Sequence, residues 1–368
     1  NSFNGDMRVG DAMLFDDGRV RGRIIKISKK GITVRFLESA IIQPKKTIAI
    51  PNRDLDIAPL SAKDKKAITF AKKNKFAFIA LSFTRHEEDV VRLKRLLRGS
   101  GVGIIAKIEN QQGVANAPEI LKHADGLMIA RGDLGVEIKQ ENLPAVQKRL
   151  LRLCNEKGKI GIVATQVLES MVRTPRQTRA ETSDTANAVL DGADVIMLSE
   201  ETAVGKYPKK CVQVIAKTTK AIETEFALTT HQPTSTDLSQ AMAAAAATLA
   251  KRTRVNKIIA LTKSGYTARQ LARFRMRTHI IAVTATKQVK EQLNLVFAVQ
   301  AYLYTDVPEH GRVPWATNRL YKDKHIAKND WVLFMAGVHT TKENVSNLMQ
   351  LNQVKDLLAY YKRDKRKK

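Results

Sequence analysis

Along the first sixty residues short apolar and polar stretches alternate, broken by turn signals: "FDDGRV" at 15–20, "SKKGIT" at 28–33 and "IPNRDL" at 50–55. Alternation punctuated by Gly, Pro, Asn and Asp predicts short strands in a compact β unit. From 61 to 226 the pattern changes to apolar runs of strand length separated by longer mixed stretches. The runs "FAFIALSF" (76–83), "IIAKIE" (104–109), "GLMIARGD" (126–133), "IGIVATQ" (160–166) and "VIMLSEE" (195–201) predict strands. Between them "EDVVRLKRLLR" (88–98), "LPAVQKRLLRLCNEKG" (143–158) and "RAETSDTANAVLDG" (179–192) predict helices. Strand and helix in regular succession imply a parallel sheet. The polar, Thr-rich "ALTTHQPTST" (227–236) predicts a linker, and Asp237 is placed to cap the helix that follows. A second α/β unit then begins, with strands expected at 257–262, 279–284, 301–305 and 331–337.

Composition narrows this picture. A chain of 368 residues is long enough for two or three domains, and 43% hydrophobic with 27% charged residues is ordinary globular composition. No apolar run approaches the roughly 18–20 residues needed to cross a bilayer, so no membrane partner is expected. The Ala-rich "AMAAAAATLA" (241–250) reads as a buried or interface helix. The opening "NSFNGDMRVGD" has no signal-peptide pattern, and Cys154 and Cys211 fit no disulfide framework, so a reducing cytoplasm is the expected compartment. The unusual quantity is charge: 63 Lys+Arg against 36 Asp+Glu, net +27, with a terminal cluster "KRDKRKK". Such a field attracts polyanions or phosphorylated small molecules. With aromatics at only 5%, base-stacking platforms are not evident, and nucleic acid is the less favoured partner.

Candidate chemistry lies where the middle runs end. The first ends in Ser82 and then Arg85, the second in Lys107 and Glu109, and the third in Arg131-Gly132-Asp133. The fourth ends in Thr165-Gln166 and the fifth in Ser199 and Glu201. In a (β/α) barrel the C-terminal strand ends converge on the active site, so polar groups recurring at that end point to function. In "GIIAKIENQQGV" (103–114) alternation puts Lys107 and Glu109 on one face and Ile108 on the other. For that strand alone, an ion pair closing a surface loop is the competing reading. Glu109 and Asp133, from neighbouring strand ends, suit a Mg²⁺ that keeps positions open for substrate oxygens and water. Lys107 offers a compact positive charge for a phosphoryl group in transfer. Gly132, with no Cβ, lets backbone N–H groups approach an anion such as a carboxylate. The Thr165 hydroxyl either positions a substrate, joins a proton relay or is structural. None of the seven His lies beside these strand ends in ligand-like spacing, which argues against zinc.

The segments "AKIENQQGV", "DGLMIARGDLGVEI", "ATQVLESM", "TPRQTRAETSDTANAVLDGADVIMLSEET" and "GKYP" resemble consecutive signature segments of the pyruvate kinase family, in the family's order. The similarity extends to "VGDAMLFDDGRV", "LSAKDKKAI", "IALSFTR" and "ALTKSGYTARQLARFR", and so over nearly the whole chain. It implies an α/β fold: a small inserted β domain remnant (1–60), a partial TIM (β/α) barrel supplying strands four to eight (61–226), a linker (227–236) and a C-terminal α/β regulatory-type domain with a basic tail (237–368). It implies a cytoplasmic glycolytic transferase, a homotetramer, that moves a phosphoryl group from phosphoenolpyruvate to ADP with Mg²⁺ (or Mn²⁺), giving pyruvate and ATP. By matching motif, Lys107 would stabilise the phosphoryl group, and Glu109 and Asp133 would hold the metal. The Gly132 and Asp133 amides would hold the substrate carboxylate, with Arg131 and Thr165 on the substrate side. Ser199 and Glu201 would belong to the network feeding the enolate's proton. Lys46, in "KKTIAIP", would lie on the nucleotide side. Thr262, Lys263, Ser264, Gly265 and Thr267, in "TKSGYT", match a phosphate-binding effector loop, with a plain strand-to-helix turn as the alternative.

Two departures carry expectations. Glu200 in "MLSEET" stands where the family has Gly, a strained substitution if that Gly has positive φ. The family's first three barrel strands, with the K⁺ ligands, have no counterpart in these residues. The chain alone is therefore expected to be inactive, with two unpaired sheet edges. A non-catalytic basic binding protein on the same scaffold, and a Mg²⁺-dependent lyase of the related pyruvate-handling barrels, are the competing readings.

Overall fold

The computed structural model describes residues 7–16, 18, 20–28, 31–42, 44, 48–51, 60–226, 237–308, 310–337 and 344–367. The expected linker at 227–236 lies outside these described residues. Strands β1 (Ala12–Phe15), β2 (Val20–Ser28), β3 (Gly31–Phe36) and β4 (Ile48–Ala49) form an antiparallel sheet in the order β3-β2-β1-β4. Alternation along β2 turns Val20 and Ile24 inward, where they join Met7, Met13, Phe15 and Ile50 in a small core.

The central sheet holds β5 (Phe78–Leu81), β6 (Gly103–Ile108), β7 (Gly126–Ala130), β8 (Ile160–Ala164) and β9 (Val195–Met197), all parallel and in sequence order. It does not close into a barrel; β5 and β9 stand at its two edges. Both faces of the inner strands are covered, which is why β7 and β8 are apolar throughout. Ile104, Ala106, Ile108, Leu127 and Val163 share a cluster with Val90 and Leu93 of the helix Glu87–Leu96 and with Leu150, Leu151 and Cys154 of the helix Leu143–Lys157. On the opposite face Ile105, Met128 and Ile162 belong to a different cluster, built mainly from the C-terminal unit. Burial pushes the Cys154 thiol up to about 12, which makes it an unreactive core group.

All five predicted central strands run too far at their C-terminal ends; β5 stops at Leu81 and β8 at Ala164. β6 stops at Ile108, β7 at Ala130 and β9 at Met197, and Arg131–Glu137 and Glu200–Ala203 are short helices. The β7–β8 ladder ends at the Ala130–Ala164 pair, because Thr165 and Gln166 turn into left-handed backbone (φ 67° and 52°) and offer no further partner. Glu200 is exposed and does not adopt positive φ, so the strain expected of it is absent.

The C-terminal sheet comprises β10 (Val255–Leu261), β11 (His279–Thr284), β12 (Val299–Leu303), β13 (Trp331–Ala336) and β14 (Leu348–Gln353), in the order β12-β11-β10-β13-β14. The first four are parallel, whereas β14 pairs antiparallel with β13. Asp237 caps the helix Leu238–Arg252 as expected, accepting from the Gln240 N–H at 2.9 Å. That helix buries its Ala243, Ala246, Ala247 and Ala250 stripe. Among the described residues no helix is long and apolar enough to cross a membrane.

Candidate active site

At the C-terminal ends of β5 and β6, the Lys107 ammonium meets Glu109 Oε1 at 2.6 Å and donates to Ser82 Oγ at 3.3 Å. The second oxygen of Glu109 accepts the Phe83 N–H at 2.5 Å. Glu109 is 1% exposed and Lys107 24%, so a buried carboxylate holds an ammonium whose tip still reaches solvent. Alternation places both side chains on one face, and the close pair follows from it. The next residues fix the loop. Asn110 Oδ1 accepts the Gly113 N–H at 2.7 Å, and a Cβ on Gly113 would lie 2.5 Å from the Thr84 carbonyl, so only Gly fits there.

One strand further, Arg131 is buried, 7% exposed. Its guanidinium donates to the Thr165 carbonyl at 3.0 and 3.3 Å and to the Gln166 carbonyl at 3.1 Å, and pairs with Asp184 Oδ1 at 2.6 Å. The left-handed turn after β8 is therefore clamped by a side chain from the end of β7. The Thr165 hydroxyl donates to the Ala164 carbonyl at 2.6 Å and accepts the Gly132 N–H at 2.7 Å. Asp133 lies in the first turn of the helix Arg131–Glu137, half-buried. At the end of β9, buried Glu201 accepts the Leu168 N–H at 2.9 Å and the Ser199 N–H at 2.8 Å. The structure thus brings together Lys107 with Glu109, Arg131 and Gly132 with Thr165, and Ser199 with Glu201, all at one end of the sheet. The small sheet reaches this end too: a Cβ on Gly18 would lie 3.2 Å from Val136.

The residues of "TKSGYT" belong to the other sheet, after β10. Gly265 is left-handed (φ 80°), Thr267 Oγ1 and Ser346 Oγ lie 2.8 Å apart, and Ser264 Oγ donates to Asn344 Oδ1 at 2.6 Å. The Thr262 N–H bonds the Val283 carbonyl at 3.0 Å, and Lys263 is exposed. Lys46 falls outside the described residues.

A family model described as "Pyruvate kinase, barrel domain" matches residues 1–212, and "Pyruvate kinase, alpha/beta domain" matches residues 240–351. The chain belongs to the pyruvate kinase family. It is 37% identical to a pyruvate kinase of Sporosarcina psychrophila over 367 residues and 38% identical to one of Geobacillus stearothermophilus over 369 residues. A pyruvate kinase of Staphylococcus aureus is 37% identical over 368 residues. Each comparison covers 96% of this chain but 62% of the relative's length.

Within this pyruvate kinase family member, sequence reasoning missed Asp184 and Glu181. Glu181 takes four hydrogen bonds: from the Ser170 N–H and hydroxyl at 2.7 and 2.6 Å, and from the Thr178 N–H and hydroxyl at 2.7 and 3.1 Å. It thereby ties the helix Arg179–Leu190 to the loop after β8. The Thr-x-x-Glu spacing in "TRAE" was a readable capping box, and Asp184 follows one helical turn later on the same face.

Proposed function

We propose that the complete protein transfers a phosphoryl group from phosphoenolpyruvate to ADP and protonates the resulting enolate to pyruvate. The observation that carries this reading is the Lys107–Glu109 pair at the end of β6, a buried carboxylate presenting a partly exposed ammonium that also reaches Ser82 beyond the neighbouring β5. Lys107 offsets the charge that develops on the phosphoryl oxygens in flight. The Gly132 and Asp133 amides and the Thr165 hydroxyl orient the substrate carboxylate, and the Gly132 N–H exchanges its present bond to Thr165 for the substrate oxygen. Arg131 acts from behind this surface by holding the Thr165–Gln166 turn in place. Ser199 and Glu201 hold the proton path to the enolate carbon.

Two carboxylates with hard oxygens suit Mg²⁺ or Mn²⁺, an ion that keeps its waters and takes substrate oxygens; among the described residues no group of three or more His, Cys, Asp or Glu stands ready to hold a metal without the substrate. Glu109 and Asp133 would hold it, Glu109 giving up its bond to Lys107 in the process. Bound there, the ion supplies Lewis acidity to the phosphoryl oxygens. K⁺, a homotetramer, a cytoplasmic location and an effector function for the Thr262–Thr267 loop follow from the same reading. So does the division into a small β domain (1–60), a barrel part (61–226) and a regulatory-type domain (237–368).

The test is a coupled pyruvate-forming assay on the complete gene product. Lys107→Met is expected to lower turnover by at least about 100-fold, the scale of losing one preorganised charge in the transition state. Unchanged turnover rejects the proposal. The +27 charge favours one second reading, a polyanion-binding protein on this scaffold. It gains ground if the intact protein shows no phosphoryl transfer but binds RNA with steep salt dependence.

A further inference from the structure

The junction between the central sheet and the C-terminal unit buries more positive charge than its carboxylates balance. Arg273 and Arg275 follow the helix Tyr266–Ala272 and are 5% and 4% exposed. Arg273 donates only to neutral acceptors: Gln240 Oε1 at 2.9 Å, Gln270 Oε1 at 3.2 Å and the Glu156 carbonyl. Lys159 donates to the Ala124 carbonyl at 2.6 Å, and Arg269 to the Ser264 carbonyl at 3.2 Å. Of these four cations only Arg275 meets a carboxylate, Asp194, at 2.8 and 3.0 Å. It also reaches Asn155 Oδ1 and, at 2.6 Å, the Gly192 carbonyl, yet its Nε is buried with no hydrogen-bond partner. Burial is the largest influence on Lys159, Arg269 and Arg273 and lowers the pKa of each. Asp125, which also accepts the Ile104 N–H at 2.9 Å, is a neighbouring charge that acts on both Lys159 and Arg269 and offsets part of this excess. That leaves two carboxylates, Asp125 and Asp194, against the four cations.

Between these groups lies a cavity of about 10 Å³, lined among others by Asn155, Lys159, Asp194, Arg269, Arg273 and Arg275. That is room for about one water-sized particle. A water molecule there would accept from the lining N–H groups but leave the charge uncompensated. A phosphate, a sulfate or a metabolite carboxylate is several times that size, whereas chloride, only somewhat larger than water, needs a small outward shift of the side chains at the open rim. A monatomic anion satisfies both conditions, since it accepts from several N–H groups at once and offsets the unpaired cations.

We propose that this cavity binds a single halide-class anion, chloride, which fastens the C-terminal unit to the N-terminal edge of the central sheet. Asp194 does not exclude it, because Arg275 already neutralises that carboxylate. The position suits a fastener. Phe297 donates its N–H to Asp194 Oδ1 at 3.0 Å, and Gln292 Nε2 bonds the Ala77 and Gly101 carbonyls at 3.0 and 2.9 Å, so residues on both sides of the cavity already bridge the two units.

The experiment is ³⁵Cl NMR line broadening on the full chain at constant ionic strength. Excess linewidth is expected to saturate with chloride, to be displaced by bromide, and to be unaffected by sulfate or gluconate. Arg273→Gln is expected to weaken chloride binding by about tenfold or more, the scale of removing one nearby charge. Should that variant not fold, Lys159→Met, at the more open rim, carries the same expectation. Bromide-soaked crystals of the unaltered protein give a second readout, an anomalous peak inside the cavity. Linewidth without saturation, displacement by sulfate, or a cavity holding only water overturns the proposal.

Discussion

The central and C-terminal sheets each contain five strands, but they finish those strands with different chemistry. At the C-terminal ends of the central strands stand charged groups in pairs, Lys107 with Glu109 and Arg131 with Asp184. The corresponding ends of the C-terminal sheet carry hydroxyls, Thr262, Thr284 and Tyr304, with Thr284 1% exposed. At these strand ends the left-handed positions divide in the same way, although the C-terminal unit holds non-Gly left-handed residues elsewhere, at Arg275, Ala298, Lys324 and Asn344. Next to β5 and β8 the left-handed positions are occupied by Phe83, Thr165 and Gln166, whereas after β10 the left-handed position belongs to Gly265. A non-Gly residue in that conformation costs about 1–2 kcal/mol, and Gly almost nothing. The central sheet accepts that cost where a hydroxyl and two carbonyls must face Arg131 and Gly132. The C-terminal loop needs only to turn.

This contrast breaks most readily at Arg131. Arg131→Met leaves the carbonyls of Thr165 and Gln166 facing an apolar side chain, and is expected to lower unfolding free energy by about 2 kcal/mol. Denaturant unfolding of the full chain measures it; a loss within error would mean that the clamp is ornamental. A smaller effect belongs to the other sheet. Gly265→Ala puts a Cβ on left-handed backbone, 2.9 Å from Arg269 Nη1 and 3.1 Å from Cδ2 of Leu293, a fully buried core side chain that must shift by a few tenths of an ångström. The expected loss is about 1 kcal/mol for the backbone plus a smaller packing cost at Leu293, and a loss as large as that of Arg131→Met would erase the distinction between the sheets.

The smallest effect sharpens the comparison through pH. Burial pushes Glu181 up, but the hydrogen bonds from Ser170 and Thr178 outweigh it and hold the carboxyl below its ordinary 4.5. Its folded form binds a proton less readily than its unfolded form, so its stabilisation is complete above the ordinary value and fades as pH falls through the lower one. Near neutrality Glu181→Gln is expected to cost about 0.5 kcal/mol, the low end for a cap. In thermal melts the gap to the unaltered protein closes in acid. A gap that stays constant across the carboxylate range refutes the assignment.

Much of this was legible in the residues. The parallel strands announce themselves as apolar runs, and the Lys107–Glu109 pair follows from the two-residue period interrupted by charge. What was not legible depends on partners far along the chain. β7 ends at Ala130 because its neighbour turns away at Thr165, a fact about β8. Arg131 stands on the substrate side by resemblance, and its bonds to carbonyls 34 and 35 residues away could not be read from "ARGD". β14 escaped notice because Gln350, Asn352 and Gln353 obscure its apolar rhythm. The capping box at Thr178 was visible, and only its bonds to Ser170 needed the fold.

One apolar cluster runs without a break from Ile105, Met128 and Ile162 of the central sheet into Ala246, Leu271 and Phe274 of the C-terminal unit. Neither part owns a complete interior along that seam. Separating them would wet a common oily surface on both pieces, so heat dissolves the pair in concert rather than in turn, and scissors placed between them would yield two sticky fragments instead of two tidy modules.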